Sequence, residues 1–193
     1  MDSVAAFNGL PDGRLRDELL SCCAAPTWGE AITGGRPYPD RNALEAAAQA
    51  AADSLSWADV LEGLSAHPRI GERAAGDSRE AVWSRQEQSA AQSAAQGKAQ
   101  GAAQNAAQGA AQNAGQGAAA SDGKAALIAA NRDYEERFGH VFLIFASGKS
   151  QGEILAAARG RLGNDEVTER AVVRGELGKI ALLRLGRLLD ALG

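Results

Sequence analysis

Apolar residues recur every three or four positions along most of the chain, a spacing that predicts amphipathic α-helices. The pattern predicts one helix over residues 12–24, ended by Pro26, and another over 124–137, closed by Gly139. A long helix is predicted over 165–192, where leucines dominate the apolar positions. The polar and apolar pattern therefore indicates an all-α protein.

Three residue pairs with capping-box spacing mark further helix starts. In a capping box, a side chain at the helix start and a carboxylate three residues later each bond the other's backbone N–H. A helix opened by the second pair must stop before Pro68, because a residue that precedes proline resists helical angles. The pairs are Asn42 with Glu45, Ser56 with Asp59, and Ser150 with Glu153.

Residues 141–146 form the only strongly apolar run, Val-Phe-Leu-Ile-Phe-Ala. Periodicity cannot decide between a short strand and the buried start of a helix for a run of this length. Gly175, Gly178 and Gly186 interrupt the last predicted helix, which indicates either close packing against another helix or local weakness.

Residues 90–121 repeat every four positions, with Gln in the third place of seven units. The repeat has no Leu, Ile, Val or aromatic residue, so it cannot build a core. A helix predicted from about Ser78 runs through Gln88 into this tract. We interpret residues 89–124 as a low-complexity Ala/Gln/Gly insertion, part frayed helix and part coil, within a single domain over 1–193. A role as a partner-binding arm is the less favoured alternative.

Composition and charge narrow the functional classes. The 193 residues include 43 Ala and only 5% aromatics, which nearly excludes an all-β fold. A net charge of -4 without a basic stripe argues against nucleic-acid binding. No apolar run reaches the roughly 20 residues of a membrane span, and no signal peptide is visible, so we expect a soluble cytoplasmic protein. The adjacent Cys22 and Cys23 exclude a disulfide scaffold.

His67 is the first residue that could carry chemistry. It lies between a predicted helix end and Pro68, where a fixed backbone could present the imidazole to a pocket. The residues alone favour a plainer interpretation, in which His67 caps the helix and meets its dipole. With only His67 and His140 in the chain, a metal site is improbable.

A second candidate set combines a hydroxyl, a carboxylate and an amide. Ser84, Glu87 and Gln88 share one helical face, and such a set could bind a urea-like molecule with alternating donors and acceptors. A solvated surface is the simpler interpretation of this triplet alone. Arg161, near a helix end, could hold an anionic substrate.

In this order the residues resemble the 2-oxo-4-hydroxy-4-carboxy-5-ureidoimidazoline (OHCU) decarboxylase family of urate degradation. The resemblance covers nearly all of the chain except the repeat. The segments that carry it are Phe7-Asn8, Cys22-Cys23-Ala24, Trp28, Arg36-Pro37-Tyr38, His67-Pro68-Arg69-Ile70-Gly71, Ser84-x-x-Glu87-Gln88, Asn131-x-x-Tyr134-x-x-Arg137-Phe138-Gly139, the apolar run through Ala146, and Arg161-x-x-Asn164.

The resemblance implies an all-α, single helical-bundle domain that forms a homodimer and uses no cofactor and no metal. It implies a carboxy-lyase that converts the small molecule OHCU to S-allantoin and CO2. His67 and Glu87 would be catalytic. The substrate-binding residues that it implies are Pro68, Ser84, Gln88, Phe142, Leu143, Ile144, Phe145, Ala146 and Arg161.

Two other functions compete with this one. A non-catalytic helical ureide-binding or adaptor protein would use none of these residues for catalysis. A cofactor-free ureide hydrolase would release ammonia or glyoxylate derivatives instead of CO2. The chain also departs from the family pattern, because the repeat replaces a shorter linker and His140 takes a place that is often aromatic.

Overall fold

A computed structural model of the chain describes residues 3–67, 69, 83 and 115–193. Every regular element whose bounds it gives in these residues is an α-helix, which confirms the all-α prediction. The helices are α1 (Ser3–Asn8), α2 (Asp12–Cys22), α3 (Pro26–Gly34), α4 (Arg41–Asp53), α5 (Trp57–Ser65), α6 (Gly115–Phe138), α7 (Gln151–Arg161) and α8 (Glu166–Leu192). None of these helices is long and apolar enough to cross a membrane.

The chain forms two compact units, one from Met1–His67 with Val167–Gly193 and the other from Pro68–Glu166. The first unit buries large apolar side chains from α1 to α5 and from α8. Trp28 is fully buried, and its indole N–H donates to the carbonyl oxygen of Ala48 at 3.0 Å. A buried indole needs such a partner, so this bond fixes how α3 lies on α4.

Glycines of α5 and α8 permit close helix contacts in the first unit. A Cβ atom added at Gly63 of α5 would lie 2.9 Å from Cδ2 of Leu177 on α8. One added at Gly178 would lie 3.1 Å from Cβ of Ala52 on α4. At Gly175 an added Cβ would meet no described atom within 4 Å. Close packing therefore explains Gly178, while Gly175 only weakens the helix locally.

Two of the three predicted capping boxes are confirmed. Ser56 and Ser150 both form capping boxes, with Asp59 and Glu153 respectively, as predicted. The prediction at Asn42 was wrong by two residues, because Asp40 is the cap of α4 and accepts a hydrogen bond from the Ala43 N–H at 2.8 Å. Aspartate fills this role as well as asparagine does.

Helices α1 and α3 were not predicted from the sequence. Pro26 does not end α2, which stops at Cys22, but begins α3, where its missing N–H costs no hydrogen bond. The helix predicted from about Lys124 begins at Gly115, inside the Ala/Gln/Gly tract. It ends as predicted before Gly139, whose φ of 73° suits a helix terminus.

The second unit is built around α6, α7 and the segment 141–146 between them. This segment is neither strand nor helix, so both predicted alternatives were wrong. The segment still buries the side chains of Phe142, Leu143 and Ile144. Burial requires only apolar neighbours from α6 and α7, and it does not require the segment itself to be a strand or a helix. The buried core cluster consists of Leu127, Ala130, Tyr134, Phe142, Ile144, Ile154 and Ala158.

Candidate active site

His67 follows the end of α5, and the helix holds it by two contacts. Its backbone N–H donates to the Leu64 carbonyl oxygen at 2.9 Å. Its Nδ1 lies 2.9 Å from the carbonyl oxygen of Gly63. Because a carbonyl oxygen can only accept, Nδ1 carries the proton of the neutral ring. This assignment leaves the lone pair on Nε2.

The Nε2 atom of His67 is buried and has no hydrogen-bond partner among the residues that the structure describes. Burial and, to a lesser extent, the charge of Arg184 lower the pKa of His67 from 6.5 to about 4, against the opposing effect of the contact with Gly63. The imidazole is therefore neutral at pH 7. A neutral ring with an available lone pair can accept a proton from a bound molecule.

Arg184 of α8 places a buried positive charge in the first unit. Its side chain is only 1% exposed. The neighbouring Cys23 is a free thiol, and burial raises its pKa to about 11. Cys23 is therefore protonated at neutral pH and packs as a small apolar side chain.

Arg161 lies at the last position of α7 in the second unit, and its guanidinium bonds two different groups. Its Nη1 donates to the carbonyl oxygen of Leu143 at 2.7 Å, and its Nη2 lies 3.3 Å from the hydroxyl oxygen of Tyr134. The guanidinium carbon also lies 4.6 Å from the centre of the Phe142 ring. These contacts fix the plane of the guanidinium against the segment 141–146.

The five residues 142–146, which the resemblance implies to be substrate-binding, differ in how deeply they are buried. Phe142, Leu143 and Ile144 are buried, whereas Phe145 and Ala146 are half-buried. An irregular backbone leaves its carbonyl and N–H groups open to partners outside a helix or sheet. The Leu143 carbonyl, which accepts from Arg161, is one example.

The structure thus brings some predicted site residues together. Arg161, Phe142 and Leu143 are in direct contact in the second unit, while His67 belongs to the first unit. The remaining candidates, Pro68, Ser84, Glu87 and Gln88, lie outside the described residues.

Two contacts beside the candidate residues were not singled out from the sequence. Tyr134 was quoted only as part of a motif, yet its hydroxyl touches Arg161. Arg69, two residues after His67, binds both carboxylate oxygens of Glu135 with Nε and Nη2, each at 2.7 Å. Pairs so far apart in sequence leave no local periodic signal, so neither contact could be predicted from the pattern of residues. In the described part of the chain, no group of three His, Cys, Asp or Glu side chains could hold a metal ion.

These features define an all-helical protein with a neutral imidazole available as a base and a guanidinium fixed beside an apolar segment. The OHCU decarboxylase family model matches residues 8–104 and 95–186. The chain belongs to the OHCU decarboxylase family.

Individual relatives agree with this assignment. The "Uric acid degradation bifunctional protein TTL" of Arabidopsis thaliana is 26% identical over 174 residues, which cover 89% of this chain but only 46% of that protein. The "2-oxo-4-hydroxy-4-carboxy-5-ureidoimidazoline decarboxylase" of Amia calva is 29% identical over 161 residues, 83% of this chain and 78% of that protein. The chain therefore spans less than half of the bifunctional relative.

Two solved structures share the fold. A crystal structure of OHCU decarboxylase in the presence of (S)-allantoin superposes with a TM-score of 0.63 at 25% identity, covering 90% of this chain and 98% of that one. A crystal structure of (S)-allantoin synthase gives a TM-score of 0.62 at 18% identity, covering 97% of this chain and 54% of that one. The second match is evidence for the fold alone.

Proposed function

We propose that this chain catalyses the cofactor-independent decarboxylation of OHCU to S-allantoin and CO2. Family membership supports the reaction. The observation that carries the proposal within the structure is the imidazole of His67, with Nδ1 held by Gly63 and a buried Nε2 without a partner in the described residues. A group in this state suits proton transfer at neutral pH.

The chemistry of the substrate explains why few groups suffice. When the carboxylate leaves as CO2, the electron pair of the broken carbon–carbon bond forms a double bond to the adjacent unsaturated carbon, and the π pair of that carbon moves onto the ring nitrogen bonded to it. The reaction then needs no external electron sink. The protein has to orient the carboxylate, accept the hydroxyl proton, and deliver one proton to one face of the product. Delivery to one face gives a single enantiomer of allantoin.

In this proposal His67 and Glu87 share the proton transfers. Arg161 binds an anionic or carbonyl part of the substrate, since a guanidinium offers a planar set of donors. The contact between Arg161 and the Leu143 carbonyl supports this role, because it fixes the guanidinium before substrate arrives. The remaining substrate contacts are proposed for Pro68, Ser84, Gln88, Phe142, Leu143, Ile144, Phe145 and Ala146.

The proposal includes a cytoplasmic homodimer built from a single domain over residues 1–193. The thiol side chains of Cys22 and Cys23 are both buried and form no disulfide, which is in keeping with a reducing compartment. Residues 89–124 are proposed as an insertion within that domain. Sedimentation of the purified chain tests the dimer.

The direct test supplies OHCU made in place from urate with urate oxidase and hydroxyisourate hydrolase. Circular dichroism then follows the product, and CO2 release is measured in parallel. We expect rapid formation of one optically active allantoin. Decay at the spontaneous rate to racemic allantoin would favour the ureide-binding or adaptor function, and release of ammonia or glyoxylate derivatives would favour a hydrolase.

A variant pair tests the role of His67. His67→Asn keeps a side-chain N–H for the Gly63 carbonyl but loses the basic nitrogen, so we expect kcat to fall by about 100-fold or more. Ser65→Ala, an exposed position near the same helix end, is the matched control and should keep full activity. A His67→Asn protein that folds normally and retains full kcat would remove His67 from the mechanism.

A further inference from the structure

The motif Asn131-x-x-Tyr134-x-x-Arg137 has no role in the proposed function, although Tyr134 is fully buried. Its hydroxyl lies against Arg161, the residue proposed to bind substrate. Three residues further along α6, Arg137 Nη2 donates to the Asn164 carbonyl oxygen at 2.9 Å. Two residues one turn apart on α6 therefore contact Arg161, the last residue of α7, and Asn164, three residues beyond it.

The ring of Tyr134 adds a second kind of contact to the hydroxyl. It meets the Phe142 ring edge-on, with centroids 5.1 Å apart and an interplanar angle of 75°. Phe142 in turn lies under the guanidinium of Arg161. Tyr134 thus touches both the guanidinium and the aromatic ring on which that guanidinium rests.

A guanidinium on a long side chain has several rotamers, and each contact that excludes some of them lowers the entropy lost on binding. The Leu143 carbonyl holds Nη1, and the Tyr134 hydroxyl holds Nη2. Two donors held at different nitrogens fix both the position and the rotation of the planar group. Loss of either contact removes one of the two hydrogen bonds that define the plane of the guanidinium.

We propose that Tyr134 is a positioning residue for the decarboxylation: through its hydroxyl and ring it fixes Arg161 in the orientation that receives the anionic substrate. This inference rests on the proposed function, because it takes the substrate-binding role of Arg161 from it. Tyr134 itself does not touch the substrate in this scheme. Its effect is transmitted entirely through Arg161.

Tyr134→Phe tests the inference, because it removes the hydroxyl and keeps the ring against Phe142. We expect kcat/KM to fall by about tenfold, mostly through a higher KM, because Arg161 acts in substrate binding. Tyr38→Phe is the matched control. The buried Tyr38 hydroxyl also donates a hydrogen bond, to the Ile32 carbonyl oxygen at 2.8 Å in the first unit. Both variants should lose a similar amount of thermal stability, but only Tyr134→Phe should change KM.

Introducing Tyr134→Phe into an Arg161→Lys variant distinguishes a positioning role of Tyr134 from a general loss of structure. A lysine cannot hold a planar two-point contact, so Tyr134→Phe should cause no further loss there. An equal loss in both backgrounds, or an unchanged KM in Tyr134→Phe, would overturn the inference while the wild-type activity stands. An inactive wild-type chain would instead overturn the proposed function, and this inference with it.

Discussion

The carbonyl oxygen of Gly63 lies 2.9 Å from Nδ1 of His67, one helical turn further along the chain. Gly63 therefore has two roles. Its carbonyl oxygen orients the imidazole, and its lack of a side chain lets α5 approach α8. A Cβ atom at this position would lie 2.9 Å from Cδ2 of the buried Leu177. Packing of the first unit and placement of the imidazole are therefore coupled at one backbone position.

Gly63→Ala should lower both stability and activity. The added methyl group forces Leu177 to move, at about 1–3 kcal/mol for overpacking, and the better helix propensity of alanine returns about 1 kcal/mol. We expect a net loss of about 1 kcal/mol in urea denaturation. We also expect kcat to fall several-fold as the carbonyl that holds His67 shifts.

Gly175→Ala on α8 is the control for this change. No described atom lies within 4 Å of its added Cβ, so only the gain in helix propensity remains. The free energy of unfolding should rise by about 0.5–1 kcal/mol with kcat unchanged. If Gly63→Ala stabilised the protein as much as Gly175→Ala, this result would contradict the close contact between Gly63 on α5 and Leu177 on α8.

The lowered pKa of His67 predicts a loss of stability in mild acid. The unfolded chain protonates this ring below about pH 6.5, but the folded protein does so only near pH 4. Between these values the unfolded state binds more protons, so the free energy of unfolding decreases as the pH falls. The full effect is on the order of 3 kcal/mol, absent above pH 6.5 and complete below pH 4.

Urea denaturation of wild type and His67→Asn across this window measures the effect. The variant lacks the titrating group, so the stability difference between the two proteins should change with pH in the stated direction. In activity, the acid limb of kcat/KM should lie near pH 4, well below the usual histidine range. A limb at pH 6.5 assigned to His67 would contradict a buried neutral ring.

Sequence patterns predicted the structure correctly where the structure depends only on residues close together in the chain. The capping box of Ser56 and Asp59 needs only residues three apart, and it formed as predicted. The contacts of Arg161 with Leu143 and Tyr134 span 18 and 27 residues, and no local pattern specifies them. Neither contact was predicted: the resemblance named Arg161 and Leu143 separately as substrate-binding residues, and Tyr134 only as part of a motif.

The segment 141–146 shows a different limit. Its apolar side chains correctly indicated burial, since Phe142, Leu143 and Ile144 are all buried. Burial alone does not fix the backbone, however, and here an arginine side chain satisfies the Leu143 carbonyl that a strand or helix would have bonded. Hydrophobicity thus predicted the position of the segment in the core, and tertiary contacts determined its conformation.

The ion pair of Arg69 with Glu135 should fix the chain just after His67. Both carboxylate oxygens are engaged, which gives a more defined geometry than a single contact. Because the Arg69 side chain is 53% exposed, the coupling energy in stability should stay near 1 kcal/mol or below. We expect Arg69→Ala and Glu135→Ala to lower kcat/KM by similar factors, with no further loss in the double variant.

The pair of Arg41 and Glu45 is a suitable control for this cycle. It joins Nε to one carboxylate oxygen at 2.7 Å, one turn apart on α4. Its coupling should be about 0.3–0.5 kcal/mol, with no effect on kcat/KM. Additive losses of activity for Arg69 and Glu135 would show that the two residues act independently.

Shortening the repeat tests whether the tract is an insertion that the proposed reaction does not need. Removal of residues 98–113 deletes four whole units and leaves α6, which begins at Gly115, intact. Because the deleted units contain no large apolar side chain, the free energy of unfolding and kcat/KM should both stay close to wild type. Removal of residues 89–124 also takes the first turns of α6 and should destabilise the protein. A loss of activity on removing 98–113 alone, without a loss of stability, would instead indicate that the tract acts on the helix predicted to precede it or on a partner.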